Sequence, residues 1–174
     1  MSRVTYPALL IALAALTRLM PHPANMTPIT AIALFGAVAL DRRWAFVVPI
    51  VAMVISDAIL GFHSTMPWVY ASFLAIVGLG FWVKRKTSVP KLMSATLAGS
   101  VIFFVVTNFG AWMSGMMMYP MTFGGLVECY VAAIPFFRNT LLGDLVFTGV
   151  VFGAFEIMRM TIPSLRTAPS MVQE

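Results

Sequence analysis

Long, uninterrupted apolar runs organise this chain, and most of them end at proline, glycine or clustered Lys and Arg. A membrane-spanning helix needs ~20 apolar residues, with a range of about 17–25, at a rise of 1.5 Å each. Six runs approach that length: Val4 to Met20, Ile29 to Leu40, Trp44 to Leu60, Pro67 to Val83, Leu92 to Met113 and Asn139 to Met160. The second is too short to cross alone. It must borrow residues from the preceding "PHPANMTP", whose three prolines break the chain, or start below the membrane surface. A further apolar piece, Gly124 to Phe137, begins at a Gly-Gly pair and contains Pro135. It predicts a short extra helix or a re-entrant segment before the sixth span, a form that survives only where protein or a watery cavity surrounds it.

The pattern therefore predicts an all-α integral membrane bundle of six transmembrane helices. One transmembrane domain covers residues 1–162, and a loose cytoplasmic tail covers 163–174. Composition agrees. The chain has 174 residues, 60% hydrophobic and 10% charged, with a mean hydropathy of +0.93. Soluble domains carry about 25% charge, and a domain of ~150 residues buries only about 70% of its unfolded surface. The N-terminal run resembles a signal peptide, but no small-x-small cleavage site follows it, so it is read as the first helix.

Charge sets the orientation. With the N-terminus inside, the cytoplasmic segments hold Arg3, Arg42, Arg43, Lys84, Arg85, Lys86, Lys91, Arg159 and Arg166, nine of the eleven Lys and Arg. The positive-inside rule is then obeyed at every alternate loop, with both termini cytoplasmic. The expected location is a bacterial inner membrane, multi-pass. The net charge of +5 is explained by this topology, which excludes a nucleic-acid partner. One cysteine rules out an internal disulfide.

The remaining polar residues gather at the opposite ends of the helices. Arg18, His22, Asn25 and Thr27 surround the first outer loop. Asp57 and His63 end the third run, Trp68 and Tyr70 begin the fourth, and Asn108 and Trp112 end the fifth. "GMMMYPMT", with Tyr119, follows. Glu128, Cys129, Arg138 and Asn139 precede or open the sixth, and Asp144 shares a helical face there with Thr140 and Thr148. Ionised groups at membrane depth cost ~2.5–3.5 kcal/mol on insertion scales, so they face the interior and find partners. Arg18, His22, Asn25, Asp57, His63, Trp68, Asn108, Trp112, Tyr119, Cys129, Arg138, Asn139 and Asp144 are accordingly the candidate ligand-binding residues. Each also has a structural reading. Arg18 can snorkel, Asp57 can pair with Arg138 or Arg18, and the histidines and aromatics can sit at the interface. Cys129 reads as a small buried hydrophobe or as a thiolate or metal ligand. Met116 to Met118 read as flexible packing or as a lid over an apolar ligand. Small residues on the first helix, Ala8, Ala12 and Ala15, form a stripe that permits close helix approach.

Four blocks carry a resemblance: "PHPANMTPITAIALFGAVAL", "SDAILGFHSTMPWVYASF", "FFVVTNFGAWMSGMMMYPMTFGGL" and "CYVAAIPFFRNTLLGDLVF". Together, from about Leu10 to Phe155, they resemble a bacterial family of six-helix membrane proteins. That family is grouped with the substrate-binding S components of energy-coupling-factor (ECF) vitamin transporters. The resemblance implies a small bundle that binds a vitamin or metal-related ligand near the outer face, under the first, third and fifth loops. It implies docking on a transmembrane coupling protein, itself served by ATPases, through small first-helix residues such as Ala8 and Ala12. A related solitary type resembles a cobalamin importer and directs a cysteine at the corrin metal. Cys129 lies in a different region, so that role is not carried over.

The leading expectation is a membrane protein that binds and imports a small organic, vitamin-like molecule through an outward-facing pocket. No cofactor or resident metal is expected, and the partners are the substrate, the bilayer and a coupling protein. No G-x-x-x-x-G-K-[ST] motif occurs, so any energy must come from partners. One alternative is an assembly protein without a ligand. Another is a membrane-embedded hydrolase in which Asp57 and Asp144 share a proton. "LLGD" is a weak signal for it, and neither G-x-S-G nor H-E-x-x-H is present. The non-enzymatic reading is preferred.

Overall fold

The computed structural model describes residues 5–115 and 118–161. Arg3, Arg166, Met116, Met117 and the expected loose tail from residue 163 lie outside them. Among the described residues there are six helices: α1 (Thr5–Leu19), α2 (Ile29–Ala39), α3 (Arg42–Leu60), α4 (Met66–Lys84), α5 (Val89–Met113) and α6 (Phe123–Thr161). Four of them, α3 to α6, are long and apolar enough to cross a membrane.

The short α2 is the hub. Every residue from Ile29 to Ala37 is buried, and the helix packs chiefly on α4, α3 and α6. Lipid gives no hydrophobic drive for helix association, so close backbone approach and shape carry the packing. Gly80 of α4 lies directly on α2. A Cβ there would collide with the Ala37 side chain and sit 3.1 Å from the Leu34 carbonyl. At the other face, Phe35 meets Phe152 and Phe155 of α6 edge-on, with ring centroids 5.3 and 5.4 Å away. The C-terminus of α2 is met by the Lys84 ammonium, which donates to the Leu40 carbonyl at 3.0 Å. A cation is favourable there because helix C-termini are the negative ends of the helix dipole.

The predicted bounds of α3, α4 and α5 agree with the observed ones to within a few residues. The separate segment expected before the sixth span is corrected. Gly124 to Phe137 is the first part of one continuous α6 of 39 residues, with Pro135 inside it. A proline removes one helical hydrogen bond and bends the helix, and within a bundle neighbouring groups absorb the cost. At 1.5 Å per residue α6 is about 58 Å long, nearly twice the thickness of a bilayer core.

That excess length shapes the interior. Near the chain reversal the Cys129 thiol reaches the Asn108 carbonyl at 3.5 Å. Deeper, the Ser100 hydroxyl reaches Asp144 at 2.6 Å. Between these ties α5 advances eight residues, about 12 Å, and α6 advances fifteen, about 22 Å. Two antiparallel helices with such unequal paths cannot run side by side along the whole stretch, so the path lengths imply that α6 bows away from α5, with Pro135 in the bowed part. Phe104 wedges into the gap, its ring 5.6 Å from Tyr130 and 4.7 Å from Phe137.

Candidate functional site

A cavity of about 470 Å³ occupies the space under this bow. All six helices contribute to it. Arg18 comes from α1, Ile29 and Thr30 from the start of α2, and Met53 and Leu60 from α3. Val69 and Phe73 of α4 face Phe103, Phe104, Thr107 and Asn108 of α5, and Ala133, Phe136, Phe137, Thr140 and Asp144 line the α6 side. His22, Ala24, Asn25 and Thr27 of the α1–α2 connection, with His63 and Thr65 of the α3–α4 connection, line it at the loop end. The brevity of α2 now has a reason. The cavity occupies the depth that a full-length second span would fill.

Loop geometry keeps the α1–α2 connection in place. Asn25 adopts a left-handed backbone conformation, φ 62°, which asparagine tolerates better than most residues. The Asn139 amide donates to the Ala24 carbonyl at 3.2 Å. Met26 seats on α6 at Gly143, where a Cβ would approach its Cγ to 2.9 Å. The opposite loop is turned by Gly61, φ 104°, and His63 Nδ1 lies 2.7 Å from the Thr65 hydroxyl.

One wall is fixed by an ion pair that joins three helices. Arg18 Nη1 donates to Asp57 Oδ1 at 2.7 Å and to the Ser56 hydroxyl. The Tyr70 hydroxyl donates to the other carboxylate oxygen, Oδ2, at 2.8 Å. Asp57 is 1% exposed. Both arginine bonds use Nη1, so Nε and Nη2 make no hydrogen bond to a described residue. No fully buried side-chain nitrogen or oxygen among the described residues lacks a partner, so these two nitrogens face accessible space.

The floor is different. Asp144 lines the cavity at 2% exposure and lies 21 residues into α6 rather than near its start. Its contacts are hydroxyls: Ser100 donates to Oδ2, and the Thr30 side chain at the head of α2 also interacts with it. Among the described residues it forms no ion pair. One turn further along, the Thr96 and Thr148 hydroxyls meet at 3.3 Å, both fully buried. A narrow polar seam thus runs between α5 and α6 beyond the cavity.

Six of the sequence candidates line the cavity: Arg18, His22, Asn25, His63, Asn108 and Asp144. Asp57 and Asn139 stand behind the lining, as brace and loop tie. Trp68 packs edge-on against Phe109 and presses against Gly110, where no Cβ would fit. Trp112 donates to the Pro120 carbonyl at 2.9 Å, stitching the α5–α6 connection, and Tyr119 is half-buried in that connection. Cys129 is buried against α5, which matches its reading as a small hydrophobe. Arg138 is exposed, outside the cavity, and it does not pair with Asp57. It stands two residues from the inward Thr140, a rotation of about 200° on a helix. Asp57 and Asp144 likewise form no hydrogen bond to each other; their partners are Arg18 and Tyr70 for one and Ser100 for the other. The phenylalanine walls and Thr30, Thr65 and Thr107 were not singled out from sequence, because phenylalanine and threonine in a span read equally well as lipid-facing or packing residues. Among the described residues no group of three or more His, Cys, Asp and Glu is placed to hold a metal.

A family model described as "Family of unknown function (DUF6580)" matches residues 1–165. The chain belongs to this family. No curated protein and no solved structure matches the chain. The match spans all six helices, so the family segment includes every residue that lines the cavity.

Proposed function

We propose that this protein is a membrane-embedded binding and import component for a small organic, vitamin-like molecule, similar in role to an S component. The observation that carries the reading is the cavity itself. Its volume falls in the ~300–1,000 Å³ range of small-molecule sites, and its lining combines apolar walls with a few convergent polar groups. A bundle that served only as scaffold would gain from filling such a space, since voids in a packed interior are destabilising.

Orientation in this reading follows charge. Arg42, Arg43, Lys84, Arg85, Lys86 and Lys91 lie at the end of the bundle away from the cavity loops, and the positive-inside rule supports that end as the cytoplasmic one. The cavity then opens toward the extracytoplasmic side of a bacterial inner membrane, with six spans and both termini inside. Coupling to an ATPase-bearing membrane partner would use α1. Ala8 and Ala12 are exposed on it, together with Leu9, Leu13 and Leu16, while Ala15 is buried. No observation favours a catalytic reading over this one.

The test is purification in mild detergent followed by mass spectrometry of released small molecules. One organic molecule, enriched over an unrelated membrane protein and approaching equal stoichiometry, is the expected result. Protein that is folded and repeatedly free of any enriched molecule would count against a ligand carrier.

A further inference from the structure

Resting on the carrier reading, we propose that the cavity selects an organic monocation with an aromatic or flat apolar body, its positive group seated against Asp144. The argument begins with the charges that face the cavity. Its ionisable lining comprises Arg18, His22, His63 and Asp144. Arg18 is already neutralised by Asp57 at 2.7 Å. Both histidines sit in the loops at the mouth, one held beside the Met20 carbonyl and the other beside Thr65. Asp144 alone is left at the floor with no cation among the described residues. A buried ionised carboxylate needs an opposite charge as well as hydrogen bonds, because hydroxyls do not offset the cost of leaving water.

The surroundings suit a carboxylate. The Ser100 hydroxyl makes its shorter contact to Asp144, 2.6 Å, against 3.1 Å to the Thr96 carbonyl. The first turn of α2, where Thr30 stands, presents the positive end of a helix dipole. These donors hold an anion in place without cancelling its charge. The walls add a second selection. Phe73, Phe103, Phe104, Phe136 and Phe137 surround the cavity, and the faces of aromatic rings attract cations, more strongly when water is excluded. The same rings give a flat ligand body an apolar bed. Asn108, Thr107 and Thr140 supply neutral hydrogen-bonding groups around it. The seat is therefore built for positive charge at the floor, with the free edge of Arg18 nearer the mouth available to an acceptor on the ligand.

Three probes of one shape and different charge test this: benzamidinium, benzamide and benzoate, carrying one positive, no and one negative charge. Purified full-length protein in detergent is heated with each at millimolar concentration. Benzamidinium is expected to raise the unfolding midpoint by about 3 °C or more at saturating concentration, with the other two well below it. Asp144→Asn, which keeps shape and hydrogen bonding, should remove the preference for benzamidinium. If that variant does not fold, the charge series on the unaltered protein still decides. Equal shifts for all three, no shift with benzamidinium, or a preference for benzoate would overturn the proposal. A co-purified neutral or anionic molecule would also overturn it while leaving the carrier reading intact. The absence of any bound molecule would remove the carrier reading itself.

Discussion

Asp57→Ala is expected to destabilise the folded protein by about 3–5 kcal/mol, the usual cost of stranding one member of a buried ion pair. The variant leaves the Arg18 guanidinium and the Tyr70 hydroxyl without their acceptor. Arg18→Met alone strands the Asp57 carboxylate in the same way, although Tyr70 still donates to it. The double variant Arg18→Met with Asp57→Leu removes both charges and should recover most of the loss, because a buried pair exchanged for apolar residues of similar volume is often neutral. Thermal unfolding in detergent of the two single variants and the double variant measures the coupling directly. Additive losses would mean that the pair contributes nothing as a pair, and that α1 is held on α3 by packing alone. Tyr70→Phe provides a smaller calibration of the same network, at about 1.5–3 kcal/mol for a hydrogen bond to a charged group.

The second large effect concerns the space under the bow of α6. Ala133 lines the cavity, and its neighbour Ala132, about 100° around the helix, is exposed and outside the lining. Ala133→Trp should fill the cavity and weaken retention of the bound molecule at least about 100-fold, or ~2.7 kcal/mol. Ala132→Trp points toward lipid and should leave retention unchanged. Mass spectrometry of the ligand carried through purification compares the two directly. Equal retention in both variants would show that the molecule sits elsewhere. The pair also separates occupancy from stability, because a folded Ala133→Trp protein that has lost its ligand excludes general unfolding as the cause.

The long helices were legible because their apolar runs are bounded by strong signals: Arg42 and Arg43 at the start of α3, Gly61 after it, Pro67 at the start of α4, and Lys84 to Lys86 at and just past its end. The continuity of α6 was not. Gly124-Gly125 and Pro135 are breakers by local rules, and only neighbouring helices can overrule them. Gly125 in fact serves tight packing, since a Cβ there would collide with the Pro120 carbonyl. The cavity was half legible. Stray polar residues at one end of the spans pointed to Arg18, His22, Asn25, His63, Asn108 and Asp144. What creates the space is the mismatch in path length between α5 and α6, a relation between residues far apart in sequence that no local pattern encodes. Helical phase explains why Arg138, so prominent in the sequence, lies outside: it follows the outer face of α6 while Thr140 and Asp144 follow the inner one.

Thiol labelling of a cysteine placed in the cavity is the most direct test of the central claim that this space is a ligand site open to the extracytoplasmic side. Cys129, the native cysteine, is changed to serine, and Thr107, which lines the cavity, is changed to cysteine. A membrane-impermeant thiol reagent is then applied from each side of the membrane. The account predicts labelling from the extracytoplasmic side, slowed when the co-purified molecule is added back, and no labelling of an exposed apolar position such as Leu97→Cys. Labelling of Thr107→Cys only from the cytoplasmic side, or at a rate that the molecule does not change, would contradict it.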